Sequence, residues 1–497
     1  MFPFAPLVHT LFLGFMILAL HDVLAAAQVP AGTGQAEPTF QVTADGAGVE
    51  LHEFPGGVFG QVEVARPVTV EVRADCDIRW VDIRPRSAGI KPAIAPDHGS
   101  FRFQLDRPVP LTIEFNGQWE RVIHLFGNPP EKDPPKPGTP NVRYFGPGVH
   151  EAGLIRLKKD ETLYLAPGAW VKGVVGASRS RNVVIRGRGV LDGSGAASPR
   201  KYPRAPPPAV PEGQRAQPPA RPYGTGNMIR LEGTQDALVE GITVINSPGW
   251  TVCVNGTTGT RIDGIRILNA GGDCDGIDLC SSVDVLVENV FIRTNDDNIA
   301  IKAIQDVHDI TVRRAVLWNE GAGSPLEIGF ELASAKVERI RYEDIDIIRA
   351  PRSAISIHNG DSATVQDISY RNIRVEDVRR KLISFAVVYG WHGSYRHATE
   401  QERSSNRMVR GGPWDGVFRC TPEQRAALAK NRGHIRDVRV TNLQVLESLP
   451  FSVVSGWDAE HAVEGVVIEN MTHQGRKIRN ASDARMSVDS ASEVRFR

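Results

Sequence analysis

Two neighbouring aspartates in the stretch TNDDNIAIKA, residues 294–303, have the residue types and spacing for acid–base chemistry. Asp296 and Asp297 are followed at once by Ile299 and Ile301, an apolar alternation that indicates a buried strand. Adjacent carboxylates beside an apolar core are costly unless they bind or react with something. Their repulsion raises at least one pKa, so that one group donates a proton while another stays ionised.

A third aspartate joins this pair when the repeats of the chain are aligned. The segment DGIDL (275–279) matches DNIAI (297–301), PLEIG (325–329) and AISIH (354–358). This register places Asp275 beneath Asp297, one coil apart, with both carboxylates in the turn before a strand. We therefore predict a catalytic cluster of Asp275, Asp296 and Asp297, which suits hydrolysis of a glycosidic bond by an acid and a base. A calcium site and simple turn formation are the alternatives.

The same alignment predicts a row of outward-facing side chains on stacked strands, namely Asp278, Ala300, Glu327 and Ser356. Lys302 and His358 lie two residues further along their strands, and the row forms one continuous wall beside the aspartates. Trp250, Tyr389 and Trp391 are candidate surfaces for stacking on sugars, with core packing as the alternative for each. The predicted substrate-binding residues are Asp278, Lys302, Glu327, Ser356, His358, Tyr389 and Trp391.

An imperfect repeat after residue 140 predicts the elements that position these residues. Its equivalent positions are Val239, Ile262, Val287, Val312, Tyr342, Tyr370, Val440 and Ile468. The steps between them are 23, 25, 25, 30, 28, 70 and 28 residues, and the long step indicates an insertion near 385–433. Short β-branched strands separated by Asn, Gly and Asp turns predict an all-β right-handed parallel β-helix. A β-propeller is the alternative, but its blades need longer repeats.

The rest of the chain divides into shorter segments. Residues 1–27 predict a secretory signal ending in Ala25-x-Ala27, with a membrane anchor as the alternative. Period-two alternation within 28–127 predicts a small antiparallel β-sandwich. Residues 128–140 form a proline-rich linker, 141–497 form the β-helix domain, and a second insertion lies near 196–226.

Charge and cysteine content argue against several classes of ligand and binding partner. The 58 basic and 58 acidic residues balance, which argues against a general nucleic-acid binder. The five cysteines are too sparse for a disulfide scaffold and contain no C-x-x-C pair, so we expect neither a zinc site nor a cofactor. Whether Cys274 and Cys280 pair stays open. We expect a secreted or periplasmic monomer that acts on a polysaccharide or oligosaccharide and has no stable membrane insertion.

These motifs resemble the polygalacturonase-like glycoside hydrolases of family 28 and the related family 49 dextranases. CDGIDL looks like the N-T-D-G element of that family, NDDNIAI looks like its G-D-D-C-I-A-I element, and Asn246–Trp250 matches its N-S-P-x-W element. The resemblance implies an inverting mechanism in which Asp296 is the general acid. It also implies that Asp275 and Asp297 hold and activate the water.

Two departures from family 28 concern the substrate. Ala322 stands where the family has the histidine of its G-H-G element, and Ser356 and His358 replace the Arg and Lys of its R-I-K element. Without that basic pair we expect poor binding of polygalacturonate, although Lys302 is a partial substitute. The segment PLEIGFE looks like the dextranases, in which case Glu327 faces the groove and a neutral or unusual α-linked glycan is favoured. A β-helix polysaccharide lyase with Lys302 as its base, and a non-catalytic glycan-binding β-helix, are the alternative functions.

Overall fold

The computed structural model describes residues 39–195, 226–334, 336–389 and 420–497. The predicted signal segment and most of the two predicted insertions lie outside these ranges. Within the described ranges, no helix combines the length and the apolar character needed to cross a membrane. The described helical segments are α1 (Pro422–Leu428), whose first turn is capped by Thr421 and Gln424, and the 3-10 turns Arg86–Ala88 and Ala429–Asn431.

The N-terminal part is a sandwich of two five-stranded sheets. Its strands are β1 (Phe40–Ala44), β2 (Ala47–Val49), β3 (Leu51–Phe54), β4 (Gly57–Glu63), β5 (Val68–Ala74), β6 (Val81–Arg84), β7 (Ala93–Ile94), β8 (Ser100–Leu105), β9 (Pro110–Phe115) and β10 (Gln118–Asn128). The strand orders are β2-β1-β5-β8-β7 and β3-β4-β10-β9-β6, and alternate apolar residues of both sheets share one core. The predicted purely antiparallel arrangement is wrong in one place, because β4 and β10 pair in parallel.

The remaining 31 strands form one continuous sheet that winds into a helix, and each turn of this helix is called a coil. They are β11 (Val142–Phe145), β12 (Gly148–Leu157), β13 (Thr162–Leu165), β14 (Ala169–Ser178), β15 (Val184–Gly187), β16 (Val190–Asp192), β17 (Ile229–Glu232), β18 (Leu238–Glu240), β19 (Thr243–Ile245), β20 (Val252–Asn255), β21 (Thr258–Asp263), β22 (Arg266–Leu268), β23 (Ile277–Cys280), β24 (Val283–Glu288), β25 (Phe291–Thr294), β26 (Ile299–Ala303), β27 (Val307–Arg313), β28 (Val316–Asn319), β29 (Leu326–Leu332), β30 (Lys336–Ala350), β31 (Ser353–Asn359), β32 (Thr364–Val378), β33 (Lys381–Val387), β34 (His434–Val445), β35 (Phe451–Ser455), β36 (Val463–Glu469), β37 (Thr472–His473), β38 (Arg476–Lys477), β39 (Met486–Asp489), β40 (Ala491–Ser492) and β41 (Arg495–Phe496). Through most of this region each strand pairs in parallel with the equivalent strand of the next coil, which confirms the predicted right-handed parallel β-helix.

Three stacks of parallel strands form the walls of the β-helix. Stack 1 contains β18, β21, β24 and β27, stack 2 contains β19, β22, β25 and β28, and stack 3 contains β20, β23, β26, β29, β31 and β33. The longer strands β30, β32 and β34 bend from stack 1 into stack 2.

The register in stack 1 is the one that the sequence repeat predicts. The paired positions are Val239, Ile262, Val287, Val312, Tyr342, Tyr370, Val440 and Ile468. All are buried in the same aliphatic core, and the rings of Tyr342 and Tyr370 stack with centroids 4.8 Å apart. Like residues recur because each coil places its side chain directly over the equivalent side chain of the coil below.

The turns between stack 1 and stack 2 explain the recurrent asparagine. Asn372, Asn442 and Asn470 have positive φ angles of 56°, 56° and 53°, a conformation that asparagine tolerates better than most residues. Their amides form a ladder, since Nδ2 of Asn442 donates to Oδ1 of Asn372 (2.8 Å) and Nδ2 of Asn470 donates to Oδ1 of Asn442 (2.7 Å). The ladder fixes the bend in successive coils.

The sandwich packs against stack 2 through apolar and charged contacts. Phe59 and Phe126 of the sandwich share a buried cluster with Phe291 and Trp318 of the β-helix. The guanidinium of Arg293 donates to the carbonyl oxygen of Gly56 (3.3 Å), lies 3.1 Å from Nε2 of His124 and pairs with Glu320 (2.6 Å). Since β25 ends beside the aspartate pair, the sandwich supports the strand that leads into the candidate site.

Candidate functional site

The three predicted aspartates lie in the turns that connect stack 2 to stack 3. Asp275 stands two residues before β23, and Asp297 stands two residues before β26. The amide of Gly276 donates to the carbonyl oxygen of Asp297 (2.8 Å), which stacks the two turns directly on each other. Asp275 is buried, with 3% of its surface exposed, whereas Asp296 and Asp297 are partly exposed. The structure therefore brings the predicted trio together at one edge of the β-helix.

Hydrogen bonds from polar residues hold the backbone of the aspartate turn. The hydroxyl of Thr294 and the amide Nδ2 of Asn319 both donate to the carbonyl oxygen of Asp296, at 2.9 and 2.7 Å. Nδ2 of Asn298 donates to the hydroxyl of Thr294 (2.7 Å) and to the carbonyl oxygen of Trp318 (3.0 Å). These bonds fix the backbone from which the carboxylates project, which is what a preorganised site requires.

The carboxylates themselves receive backbone donors. The amide of Ser324 donates to Oδ1 of Asp297 (2.7 Å), and the amide of Asp297 donates to Oδ1 of Asp296 (3.0 Å). Gly323 lies directly over the pair, because a Cβ there would stand 2.3 Å from Oδ1 of Asp297 and 2.7 Å from Oδ1 of Asp296. Sequence reasoning identified the GAGSPLEIG stretch through its missing histidine but did not find these two contacts. The only available signal was the pair of small residues in register with the two aspartates.

Lys302 does not occupy the predicted substrate-facing position. It is 5% exposed, and its ammonium donates to Oδ2 of Asp275 (2.9 Å) and to Oδ1 of Asp278. The ring of Trp250 covers the ammonium, with its centroid 3.9 Å from Nζ. The lysine is therefore an internal counter-ion, because the two buried carboxylates attract it more effectively than an exposed groove would.

Burial raises the pKa of each carboxyl group in the cluster. The pKa of Asp275 lies well above its usual range because of burial and the charge of Asp278, although Lys302 opposes the shift. The pKa of Asp297 is also well above its usual range, through burial and the charges of Asp296 and Asp275. Burial raises the pKa of Asp296 as well, and it raises that of Asp278 to about 7. The four groups cannot all be ionised together near neutral pH, so the cluster retains protons.

The predicted wall row exists, but it is buried. Register pairs Asp278 with Ala300, Ala300 with Glu327, and Glu327 with Ser356 in stack 3. Asp278, Glu327 and Ser356 each have at most 1% of their surface exposed, contrary to the expectation that they line an open groove. Their neighbours in the strands, Ile277, Leu279, Leu326 and Ile328, point into the aliphatic core as predicted.

Glu327 and His358 form a closed polar chain inside this wall. Nδ1 of His358 lies 2.9 Å from Oε1 of Glu327, and Nε2 lies 2.9 Å from the hydroxyl of Ser384. Phe330 stacks on the imidazole with centroids 4.7 Å apart. Both alternatives predicted for Glu327, a groove residue and a solvated residue, are therefore wrong, because an internal partner satisfies the carboxylate.

The aromatic predictions have mixed outcomes. Tyr389 is 1% exposed and belongs to the aliphatic core, so its predicted role as a sugar-stacking surface is wrong. Trp391 lies outside the described residues. Trp250 is partly exposed and stands beside Lys302 at the edge of the site.

Basic residues continue the two rows that carry the aspartates. The amide of Lys381 donates to the carbonyl oxygen of Arg352 (2.8 Å), and the register of β31 and β33 places Arg352 beside Arg380. The charge of Arg352 acts to lower the pKa of Asp296, while burial lowers the pKa of Lys381 to about 8. Sequence reasoning missed this group because it searched the strand positions and not the turns before them.

The cysteines and the other metal-ligating side chains bear on the disulfide and calcium alternatives. Cys274 and Cys280 are unpaired thiols, and Sγ of Cys274 donates to the carbonyl oxygen of Ser247 (3.3 Å). Within the four described ranges, no group of three or more His, Cys, Asp or Glu side chains has the arrangement of a metal site. Lys302 engages Oδ2 of Asp275 and the amide of Ser324 engages Oδ1 of Asp297, so two of the oxygens that a calcium ion would use have partners within the protein.

The chain combines a parallel β-helix with a cluster of aspartates at one edge. Residues 161–399 match the model of the family described as Glycosyl hydrolases family 28. The resemblance to polygalacturonase-like glycoside hydrolases is therefore confirmed.

Individual relatives agree with this match. The chain is 27% identical over 176 residues to an endo-polygalacturonase of Pectobacterium carotovorum subsp. carotovorum, covering 34% of this chain and 42% of the relative. It is 26% identical over 149 residues to a polygalacturonase of Cochliobolus carbonum, covering 29% of this chain and 40% of the relative. The matches thus span about two fifths of the length of these curated relatives.

A solved structure resembles the protein over nearly its whole length. Dex49A from Penicillium minioluteum, a family 49 dextranase, superimposes with a TM-score of 0.57 and 15% identity, covering 91% of this chain and 93% of that chain. This likeness concerns the fold. It agrees with the expectation that the chain combines family 28 motifs with features of the family 49 architecture.

Proposed function

We propose that the protein is an inverting glycoside hydrolase that cleaves an α-linked polysaccharide or oligosaccharide. The observation that carries the proposal is the stacking of Asp275 beneath Asp297, with Asp296 beside them at the same edge. In this mechanism Asp296, which is partly exposed, protonates the departing glycosidic oxygen. Asp275 and Asp297 hold and activate the water that attacks the opposite face of the sugar.

The raised carboxyl pKa values support the assignment of an acid and a base. Burial raises the pKa of Asp296, which favours a protonated donor at mildly acidic pH. The ammonium of Lys302 opposes the burial that raises the pKa of Asp275, and in this way it favours the ionised form that a base requires. The same cluster therefore contains a candidate protonated acid and a candidate ionised base.

The lyase alternative is disfavoured by the state of Lys302. Burial acts to lower its pKa, but Asp275 and Asp278 outweigh burial and raise the pKa well above its usual range. A lysine that stays protonated is a poor base for abstracting a proton from a sugar. The family resemblance also favours hydrolysis.

Two features bear on the substrate. Ser356 and His358 stand where family 28 has its basic pair, which favours a neutral or unusual glycan. Arg352, Arg380 and Lys381 place positive charge beyond the aspartates on the same edge, which favours an acidic sugar. Activity measured on a panel of pectic, sulfated and neutral α-glycans therefore discriminates between an acidic and a neutral substrate.

The decisive experiment measures reducing ends and the anomer of the first product. The wild-type protein is expected to release sugar with inverted configuration, observed by proton NMR before mutarotation. Asp296→Asn is expected to lose at least about 1,000-fold in kcat, because the departing oxygen loses its proton donor. Asp489→Asn, an exposed aspartate at the far end of the β-helix, is the matched control.

Two other outcomes would contradict the proposal. An unsaturated product with near-ultraviolet absorbance would indicate a lyase. Sugar binding without any release of reducing ends would indicate a binding protein.

We further propose that the protein is secreted to the periplasm or medium, on the basis of the N-terminal apolar segment, and that it is a monomer. N-terminal sequencing of the exported protein is expected to begin after Ala27. Light scattering is expected to give the mass of one chain.

A further inference from the structure

Lys302 is shared between two buried carboxylates that the proposed reaction uses differently. Its ammonium lies 2.9 Å from Oδ2 of Asp275, the proposed base, and also contacts Oδ1 of Asp278, to which we assigned no step in the reaction. All three side chains are at most 6% exposed. In the described part of the chain, the ammonium makes no hydrogen bond to Asp296 or Asp297.

The pair of carboxyls has one cation between them. Oδ2 of Asp278 is buried and has no hydrogen-bond partner among the described residues, whereas Oδ1 contacts the ammonium. A buried oxygen in this position is better accommodated as part of a protonated carboxyl group than as a full negative charge. The ring of Trp250 over Nζ limits the access of water to the ammonium on that side.

Other charged groups surround the trio and belong to several elements. The groups that act on Asp275, Asp278 or Lys302 include Asp296, Asp297, Cys280 and Glu331, and the thiol of Cys274 lies next to Asp275. All of these are acidic groups. Lys302 is the cation in contact with both carboxyls, so its position decides which carboxylate is stabilised.

We propose that Lys302 is a positioning residue that keeps Asp275 ionised, and that Asp278 holds the proton of this pair. Asp278 then acts as a proton store, and Asp275 is available to accept a proton from the attacking water. Burial raises the pKa of both carboxyl groups and the ammonium of Lys302 opposes the rise in each, so the way the ammonium divides between them sets which group keeps the proton. The inference rests on the proposed hydrolase function, since it assigns the base of that reaction.

The geometry predicts shifts of opposite sign in two variants. Lys302→Met removes the cation, so the acidic limb of kcat/KM against pH is expected to move up by about one pH unit or more. Asp278→Asn removes the competing carboxyl and leaves the ammonium to Asp275, so the limb is expected to move down. A merely structural role for either residue would lower the rate at every pH without moving the limb.

A second readout does not depend on activity. Infrared spectroscopy of protein labelled with ¹³C at aspartate counts protonated buried carboxyls at pH 7. Lys302→Met is expected to gain protonated carboxyl signal, and Asp278→Asn is expected to lose it. Lys302→Arg keeps the charge and is the conservative control, for which the wild-type signal is expected.

The two readouts separate the inference from the function on which it rests. If no glycan in the panel is cleaved, the proposed function fails, and the infrared titration still decides the ionisation of the pair. If hydrolysis occurs but both variants keep the wild-type limb and infrared signal, the positioning role of Lys302 is wrong.

Discussion

Gly323 lies so close to Asp297 that a Cβ on the glycine would stand 2.3 Å from Oδ1 of the aspartate. The amide of the next residue, Ser324, donates to that same oxygen at 2.7 Å. The backbone of the turn before β29 thus lies directly against the carboxylate. Any side chain at position 323 would prevent this close approach.

Gly323→Ala is expected to displace both Asp296 and Asp297. Because a shift of about 1 Å in a catalytic group can cost two orders of magnitude, kcat is expected to fall by about 100-fold or more. The measurement is a steady-state assay on the glycan that the panel identifies. Gly176→Ala, where a Cβ meets nothing within 4 Å, is the matched control and is expected to keep wild-type kinetics. Normal turnover by Gly323→Ala would show that the carboxylates need no such fit.

His358→Leu is expected to lower the free energy of unfolding by about 3 kcal/mol, because it leaves the buried carboxylate of Glu327 without its partner. The double variant Glu327→Met/His358→Leu removes both polar groups and is expected to be more stable than the single variant. Urea unfolding of the three proteins measures the difference. A double variant that is less stable than His358→Leu would contradict the view that the chain is a satisfied internal network.

Arg84→Met is expected to loosen the sandwich from the β-helix. Arg84 contacts Glu114 (3.2 Å) within the sandwich and Glu376 (2.5 Å) in the β-helix, and its side chain is 7% exposed. Loss of one partner in a buried ion cluster costs about 3 kcal/mol. Calorimetry is expected to show a lower Tm, and limited proteolysis is expected to release the sandwich sooner. Arg79→Met, whose side chain is 80% exposed, is expected to leave both unchanged.

The stability of the protein is expected to fall between about pH 4 and pH 7 because of Asp278. Its pKa rises from 3.8 in the unfolded chain to about 7 in the fold. In that window the native state binds the additional proton, so the free energy of unfolding decreases as the pH rises. Asp278→Asn removes the contribution of Asp278 to this dependence and is expected to gain up to about 4 kcal/mol at pH 7 relative to pH 4, compared with the wild type. Denaturant midpoints at the two pH values test the sign; a steeper decline in the variant would refute the assignment.

The register of the β-helix could be predicted from the sequence because stacking repeats the same environment. Tyr342 and Tyr370 align in the sequence for the same reason that their rings stack in the core. The cluster of Asp275 with Asp297 follows from that register alone. Packing that repeats from coil to coil produces a periodic pattern of similar residues, which a single sequence is enough to reveal.

Contacts between unlike positions produce no such pattern. The partner of His358 is Ser384 in a later coil, and the partner of Lys302 is Asp275 in an earlier one. Whether these side chains reach solvent depends on rotamers and covering groups, which a strand alternation does not specify. This is why the wall positions were correct while their exposure was wrong.

The pairing of Arg293 with Gly56 has a consequence for how such proteins diverge. A Cβ at position 56 would stand 2.5 Å from Nη2 of Arg293, 237 residues away in sequence. A larger residue at position 56 would have to adopt a φ of 111°, which L side chains rarely adopt, and would displace the guanidinium of Arg293. Recombination at the 128–140 linker is therefore expected to give more stable proteins when both parents carry Gly56 and Arg293.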